Sequence, residues 1–204
     1  RQAVAPALEE IVDLHELQQV QDAFARATHL ASTITDIYGD PITRPSNHCE
    51  VCTIVRSTPK GLQNCIRSGR ILGERSRELM KPNHHACHSI GFVDASAPII
   101  VEGHHIANWL IGQSYVGDVD EQRVRDYARE IDTDPEHLVQ AFRAMPKMRR
   151  DDFEKELHFL WLLASLISRL GYQRLRHERR DVQVPRLWEH DLPVCEVPQA
   201  EQPL

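Results

Sequence analysis

The sequence predicts an α+β fold, in which a small antiparallel sheet is flanked by helices and a long helix follows near the end. Three observations predict it. Residues 8–28 carry apolar side chains at helical spacing, residues 98–113 read as two apolar strands around a turn, and residues 151–180 read as one long apolar helix. The order of helix, strands, helix, hairpin and helices favours an antiparallel sheet covered by helices. This layout alone implies no function.

Size and composition are those of a folded globular protein. The chain has 204 residues, of which 41% are hydrophobic and 26% are charged. A chain of this length can bury a core without covalent crosslinks. Its formal net charge of -6 provides no overall basic field, so direct binding to nucleic acid is not expected.

The first half of the chain supplies the opening helix, two short strands and a second helix. We expect the helix over residues 8–28 to be followed by strands at 30–37 and 41–43, joined by a turn at Gly39. Thr58 and Pro59 then form a typical helix start, a hydroxyl N-cap followed by proline. Cys65 falls in the second turn of that helix, which ends near Pro82.

The second half begins with a hairpin. Strands at 98–101 and 105–113 are joined by the turn at Glu102 and Gly103, and helices follow at 119–131 and after Asp134–Pro135. The long helix 151–180 carries an apolar belt wider than one core-facing stripe needs, which predicts a homodimer. Residues 181–204 are rich in proline and lack periodicity, so we expect one folded domain at 8–180 followed by a flexible tail.

The expected location is the cytoplasm. The first ten residues lack an apolar segment followed by a small-residue cleavage site. The apolar run at 159–167 is shorter than the ~20 residues that a membrane-spanning helix needs, so no membrane association is expected. Disulfides are rare in a reducing compartment, and clustered cysteines there more often bind metal or take part in redox chemistry.

Four cysteines form the main chemical pattern. Cys49 and Cys52 are separated by two residues, so a tight loop could turn both thiolates to one ion, and Cys65 and Cys87 follow from other elements. Four thiolates satisfy tetrahedral zinc or an iron–sulfur cluster, and the spacing does not distinguish them. His88 is an alternative ligand. Two other interpretations stay open: buried apolar thiols, and a reversible thiol switch.

Asn108 and Trp109 are the candidate ligand contacts. In the strand 105–113, Trp109 alternates with His105 and Ile111 on one face, and Asn108 lies on the other. Either face could line a pocket. Asn108 is polar within an apolar strand and needs a partner if buried, which a ligand could supply. The alternative for the apolar positions is core packing.

Catalytic motifs are not found in the sequence. No G-x-S-x-G, G-x-G-x-x-G or phosphate-binding loop occurs, and paired acids such as Asp151 and Asp152 stand at a helix start, where capping explains them. We therefore expect a protein that is not an enzyme. A small metal-dependent enzyme ranks last among the function classes, because no acid–base pair accompanies the cysteines.

A family resemblance adds to this interpretation. Residues 36–47, 52–65 and 87–113 resemble the PocR sensory domain, most specifically in Asp-Ala-Ser-Ala-Pro-Ile at 94–99 and Asn-Trp-Leu-Ile-Gly-Gln at 108–113. The resemblance covers about residues 14–170. It implies a variant of the PAS-like fold, a role in bacterial signal transduction, and an output domain or partner protein. It also implies ligands such as simple diols and hydrocarbon derivatives.

The resemblance also bears on the cysteines. Cys52, Cys65 and Cys87 match family cysteines, whereas Cys49 is the less certain fourth ligand. The first functional hypothesis is a sensor with a cysteine-bound metal or cluster. The second is a small-molecule binding module whose cysteines only pack or hold a structural zinc.

Overall fold

The computed structural model describes residues 5–114, 120–145 and 147–183, and for residues 114 and 178–183 it describes the backbone alone. The described part is α+β, as the sequence predicts, with seven helices, a four-stranded sheet and a long final helix. The elements in chain order are α1 Leu8–Ile11, α2 Leu14–Thr28, β1 Ala31–Thr35, α3 Glu50–Arg56, α4 Pro59–Leu79, β2 Asn83–Ala86, β3 Val93–Val101, β4 His104–Ser114, α5 Glu121–Glu130, α6 Pro135–Arg143 and α7 Arg150–Gln183.

The sheet is antiparallel throughout, with the strand order β1-β4-β3-β2. The predicted hairpin forms its centre. Glu102 and Gly103 make the β3–β4 turn with φ values of 52° and 79°, which is the backbone that a tight hairpin turn needs at both central residues. Further along, Ile99 pairs with Ala107 and Ile100 pairs with His105, so Ile106 is an extra residue that interrupts the alternation of β4.

Helices cover both faces of the sheet. One face packs against α7 and α2, and α1 packs against α7. Strand residues Ile34, Ala97 and Trp109 and the α7 residue Leu160 form the core on this side, and all are fully buried. The opposite face is covered by α4, which contacts β2, β3 and β4. The sheet therefore separates a continuous apolar core from a second, more polar layer.

A second apolar cluster lies beside the sheet. It joins α3, α5 and α6 to Ile90 and Phe92, which precede β3. Phe92 stacks with Phe142 of α6 at 6.2 Å between ring centroids. All four cysteines at positions 49, 52, 65 and 87 are packed against this cluster. The cysteine region is thus part of a small hydrophobic core.

Two predicted elements differ from the structure. The helix predicted over 8–28 is broken in two, because Asp13 caps a new helix by accepting hydrogen bonds from the backbone N–H groups of His15 and Glu16. The strand predicted at 41–43 is wrong: this segment makes only an isolated bridge between Pro41 and Thr35. Proline lacks the N–H group that a longer ladder would need.

The end of the chain agrees with the prediction in part. The long helix is confirmed as Arg150–Gln183, so residues 181–183 continue the helix and do not begin a tail. Residues 184–204, which include Cys195, lie outside the described residues. Among the helices that the structure describes, none has the length and apolar character to cross a membrane.

Candidate functional site: a cavity between the sheet and helices α3 and α4

A cavity of about 570 Å³ lies between the sheet and helices α3 and α4. This volume falls in the range that small organic ligands occupy in proteins. Its floor includes Thr33 and Leu110, which face each other on β1 and β4. The other lining residues that matter here are Tyr38, Asp40, His48, Cys52, Arg56, Leu62, Cys65, Ile66, Gly69, Arg70, Leu72, Cys87, Asp94, Gly112 and Gln113.

The wall supplied by α4 is apolar and open. Leu62 and Ile66 are one helical turn apart and keep 37% and 53% of their surface exposed, although both face the cavity. Tyr38, on the loop after β1, is 76% exposed at the same cavity. Large apolar side chains at the mouth of a concave site are surfaces that a ligand can cover.

Asp94 is the acid in the floor of the cavity. The register of β3 and β4 shifts between Val93 and Ala95, which sets Asp94 opposite Gly112 and Gln113. Its Oδ1 accepts a hydrogen bond from the Gln113 backbone N–H at 3.3 Å, and a Cβ on Gly112 would collide with the same oxygen. Burial raises the pKa of Asp94 to about 7, so the neutral acid is accessible near neutral pH.

Gln113 connects the cavity floor to helix α3. It adopts a left-handed backbone, with φ of 59°, at the end of β4. Its side-chain Oε1 accepts a hydrogen bond from the backbone N–H of Cys49 at 2.6 Å. Cys49 is the N-cap of α3, so one side chain ties the sheet edge to the start of that helix.

The Cys49–Cys52 pair does not lie in a tight loop, contrary to the prediction. Cys49 caps α3 and its Sγ accepts a hydrogen bond from the backbone N–H of Cys52 at 3.4 Å, which places Cys52 in the first helical turn. Sulfur thus takes the position that an oxygen of Ser or Asp usually fills. A helical start at Cys49 still brings both thiols to one side.

The other two cysteines are held by different elements. Cys65 lies in α4, as predicted, with its Sγ 3.8 Å from Ser89 Oγ. Cys87 directly follows the end of β2. Its backbone N–H donates to Phe92 O at 2.7 Å and closes a loop that contains Gly91, whose φ is 87°. His88 lies in this loop, with Nδ1 3.2 Å from Ser68 Oγ.

The thiols differ in acidity. A hydrogen bond with Cys52 lowers the pKa of Cys49, and the same contact together with burial raises the pKa of Cys52. Burial, reinforced by Asp94, raises the pKa of Cys87 to about 12, and burial also raises the pKa of Cys65. Three of the four cysteines are therefore neutral thiols unless a cation stabilises the thiolates.

The four cysteines meet one of two requirements for a metal site. By donor type they fit, because thiolates suit zinc or an iron–sulfur cluster, and Cys52, Cys65 and Cys87 line one cavity. By convergence they do not, because within the described residues no three His, Cys, Asp or Glu side chains are grouped closely enough to hold an ion. Cys49 faces a small neighbouring pocket with Asn47 and Gln113.

Asn108 lies in a buried polar network. Its side-chain Oδ1 accepts from Ser96 Oγ at 3.3 Å and is 2.8 Å from His105 Nε2, and its Nδ2 donates to the backbone oxygen of Asp36 at 3.3 Å. Gly73 of α4 lies directly above it. The bulge at Ile106 explains why His105 reaches Asn108, whereas strict alternation predicts opposite faces. A ligand contact by Asn108 stays a prediction.

Trp109 lies on the face of the sheet opposite the cavity. It is fully buried, its ring centroid is 5.9 Å from that of Phe24, and its Nε1 donates to Ser32 Oγ at 2.7 Å. These contacts match the core-packing alternative given for the apolar positions of this strand. Trp109 is not among the described residues that line the cavity, and its ligand contact stays a prediction.

Sequence reasoning missed Asp94, Gln113, Arg56 and Arg70 as cavity residues. One signal was available, because a glycine inside a strand pattern, such as Gly112, often marks a close approach of another group. The arginines gave no such signal, since charged residues on helices usually face solvent.

Comparisons with known proteins point to one family. A family model described as the sensory domain found in PocR matches residues 10–172. The regulatory protein PocR of Salmonella typhimurium is 30% identical over 133 residues, which make up 65% of this chain and 43% of that protein. The chain thus matches less than half the length of this relative.

Proposed function

The chain belongs to the PocR sensory domain family, and we propose that it senses a small organic molecule by binding it in the cavity between the sheet and helices α3 and α4. The observation that carries the proposal is the cavity itself, about 570 Å³ in volume and lined by apolar side chains together with polar and charged ones. The role is non-catalytic and cytoplasmic: binding shifts the populations of two conformations, which an output domain or partner protein then reads.

The contacts of the cavity floor support a route to an output. Strand β3 contributes Asp94 to the cavity lining and packs against α7. The backbone N–H of Ile100 in β3 donates to Ser168 Oγ of α7 at 2.9 Å. A change in the sheet on ligand binding would therefore act directly on the long helix.

The same helix supports a homodimer. Phe159, Leu162, Leu166 and Leu170 repeat at three- and four-residue spacing and are 45%, 53%, 44% and 51% exposed. Such spacing forms one continuous helix face. Its opposite face is already packed on the sheet through Phe153, Leu157, Leu160 and Ala164. We propose that a second copy of α7 covers the exposed stripe.

A thermal-shift screen tests ligand binding. Short alcohols, diols, amines and organic acids are added to the purified chain, and ligands are expected to raise the melting temperature in proportion to RT ln(1 + [L]/Kd). Leu110→Trp, which fills the cavity from its floor, serves as the matched variant and should remove the shift. A shift of equal size in the filled variant would contradict binding in this cavity.

A second candidate function is a cysteine-bound zinc ion or iron–sulfur cluster. It is favoured by the packing of Cys49, Cys52, Cys65 and Cys87 against one apolar cluster, with three of them lining one cavity. Cys52, Cys65 and Cys87 would hold the group, and Cys49 or His88 would supply the fourth ligand. When bound, zinc would stabilise the fold, whereas a cluster would report redox state.

Anaerobic purification separates these possibilities. A stoichiometric zinc content, or visible absorption with bound iron, is expected if the group is present, and Cys65→Ser should lower the metal content. Asn64→Ser, on the same helix, is the control. If the purified protein contains no metal and still folds normally, the metal site is rejected. The cavity then remains as the sensory element.

A further inference from the structure

Among the residues that the structure describes, two arginines at the rim of the cavity have no acidic partner. Arg56 ends α3 and Arg70 lies in α4, and both line the cavity. Among the described residues, neither guanidinium lies within ion-pair distance of a carboxylate, although eight other ion pairs form. Asp40 and Asp94, the two acidic residues of the cavity lining, are therefore both beyond ion-pair distance of Arg56 and Arg70.

Arg70 continues the apolar face of α4 that lines the cavity. Leu62, Ile66 and Arg70 follow each other at four-residue spacing, so their side chains lie along one line of the helix. This face of α4 therefore presents two apolar side chains to the cavity, followed by the positive charge of Arg70. Arg67, on the same helix, is exposed and is not part of the lining.

Arg56 brings a second positive charge to the same cavity. Arg56 lines this cavity together with His48 and Cys65, and its charge lowers the pKa of both of these groups. The rim therefore presents two guanidinium groups above an apolar wall, in a chain whose formal net charge is -6.

We infer that the ligand of this cavity is an organic carboxylate with an apolar body, held at its carboxylate by Arg56 and Arg70. The inference rests on the proposed function and adds the chemical class of the ligand. Arginine binds a carboxylate through two parallel hydrogen bonds, which neutral alcohols cannot match. Leu62, Ile66, Leu72 and Leu110 would cover the aliphatic part of the acid.

A matched series of probes tests the inference. Hexanoate, 1-hexanol and hexylamine share one apolar chain and differ in the charge of the head group. Isothermal titration of the purified chain should give binding of hexanoate with at least about tenfold higher affinity than hexanol, because charge-assisted hydrogen bonds are lost with the alcohol. Added salt should weaken the binding of hexanoate more than that of hexanol.

Single variants identify the residues. Arg56→Gln and Arg70→Gln should each weaken hexanoate binding by about tenfold or more, whereas Arg67→Gln should leave it within about twofold. Melting temperatures of the ligand-free variants verify that they fold. Hexanol binding as tightly as hexanoate, or hexanoate binding that is unchanged in both variants, would overturn the inference while the sensory cavity stands. If none of the three probes binds to the wild-type chain, the carboxylate inference is rejected, and the broader ligand screen then decides the proposed function.

Discussion

The Asp94 carboxyl on β3 lies against Gly112 on the neighbouring strand β4, at the position where a side chain on residue 112 would begin. Because glycine has no side chain, the Asp94 carboxyl can lie against β4 in the floor of the cavity. The same carboxyl accepts the Gln113 backbone N–H, and the Gln113 side chain in turn accepts the Cys49 N–H. This chain of contacts joins the cavity floor to the start of α3.

Gly112→Ala is expected to disturb this arrangement. The added methyl group would displace the Asp94 carboxyl and cost about 1–3 kcal/mol of unfolding free energy, as overpacked sites do. Chemical denaturation measures this loss. The double variant Gly112→Ala with Asp94→Ala should recover most of it, because the colliding carboxyl is gone.

A second glycine gives the matched control. Gly69 lies inside α4, and a Cβ at that position meets no atom within 4 Å. Gly69→Ala should therefore raise the unfolding free energy by about 0.5–1 kcal/mol through helix propensity alone. If both glycine variants destabilise the chain equally, the steric account of Gly112 is wrong.

Trp109→Phe is expected to affect stability without affecting ligand binding. The variant loses the hydrogen bond to Ser32 Oγ and should cost about 1–3 kcal/mol, because that buried hydroxyl loses its partner. The ligand-induced shift in melting temperature should stay unchanged, because Trp109 faces the opposite core. Leu110→Ala, on the cavity floor, should change it. A lost ligand response in Trp109→Phe would instead support the predicted ligand contact.

Asn108→Ala should be strongly destabilising. The change removes one side chain that contacts Ser96, His105 and the Asp36 carbonyl, and buried polar groups without partners are costly. A loss of at least about 2 kcal/mol is expected from denaturation curves. Asn64→Ala, which removes a single hydrogen bond to Tyr127 at 3.2 Å, should cost less. Equal losses would show that the network adds nothing.

Leu162→Glu combined with Leu166→Glu tests the dimer. Two charges in the exposed stripe of α7 would be buried in a dimer and should produce a monomer in sedimentation equilibrium. The wild-type chain should sediment as a dimer. Leu79→Glu, at an isolated leucine that is 53% exposed on α4, is the control and should stay dimeric. A wild-type monomer at all concentrations would reject the proposal.

Local signals predicted much of the fold. The hairpin turn at Glu102–Gly103, the start of α4 at Thr58 and the start of α6 at Asp134 each depend on a few adjacent residues, and all three appear in the structure. Helix α3 was missed because it has seven residues, is rich in β-branched side chains and is capped by a cysteine.

The site was less predictable, because its residues come together only after folding. The sequence identified the cysteines by spacing, and the structure brings three of them to one cavity. Asp94 and Arg56 meet this cavity from a strand and from a helix end, which no local pattern reveals. The bulge at Ile106 likewise changed which side chains meet Asn108, since one inserted residue breaks the two-residue alternation.

The most direct test of the sensory cavity is a chemical-shift map of the labelled chain with a ligand found by thermal shift. The account predicts that backbone signals of Thr33, Leu72, Asp94 and Leu110 move with the ligand, and that Leu110→Trp abolishes the changes. Shifts confined to the opposite side of the sheet, around Phe24 and Leu160, or shifts that persist in Leu110→Trp, would contradict it.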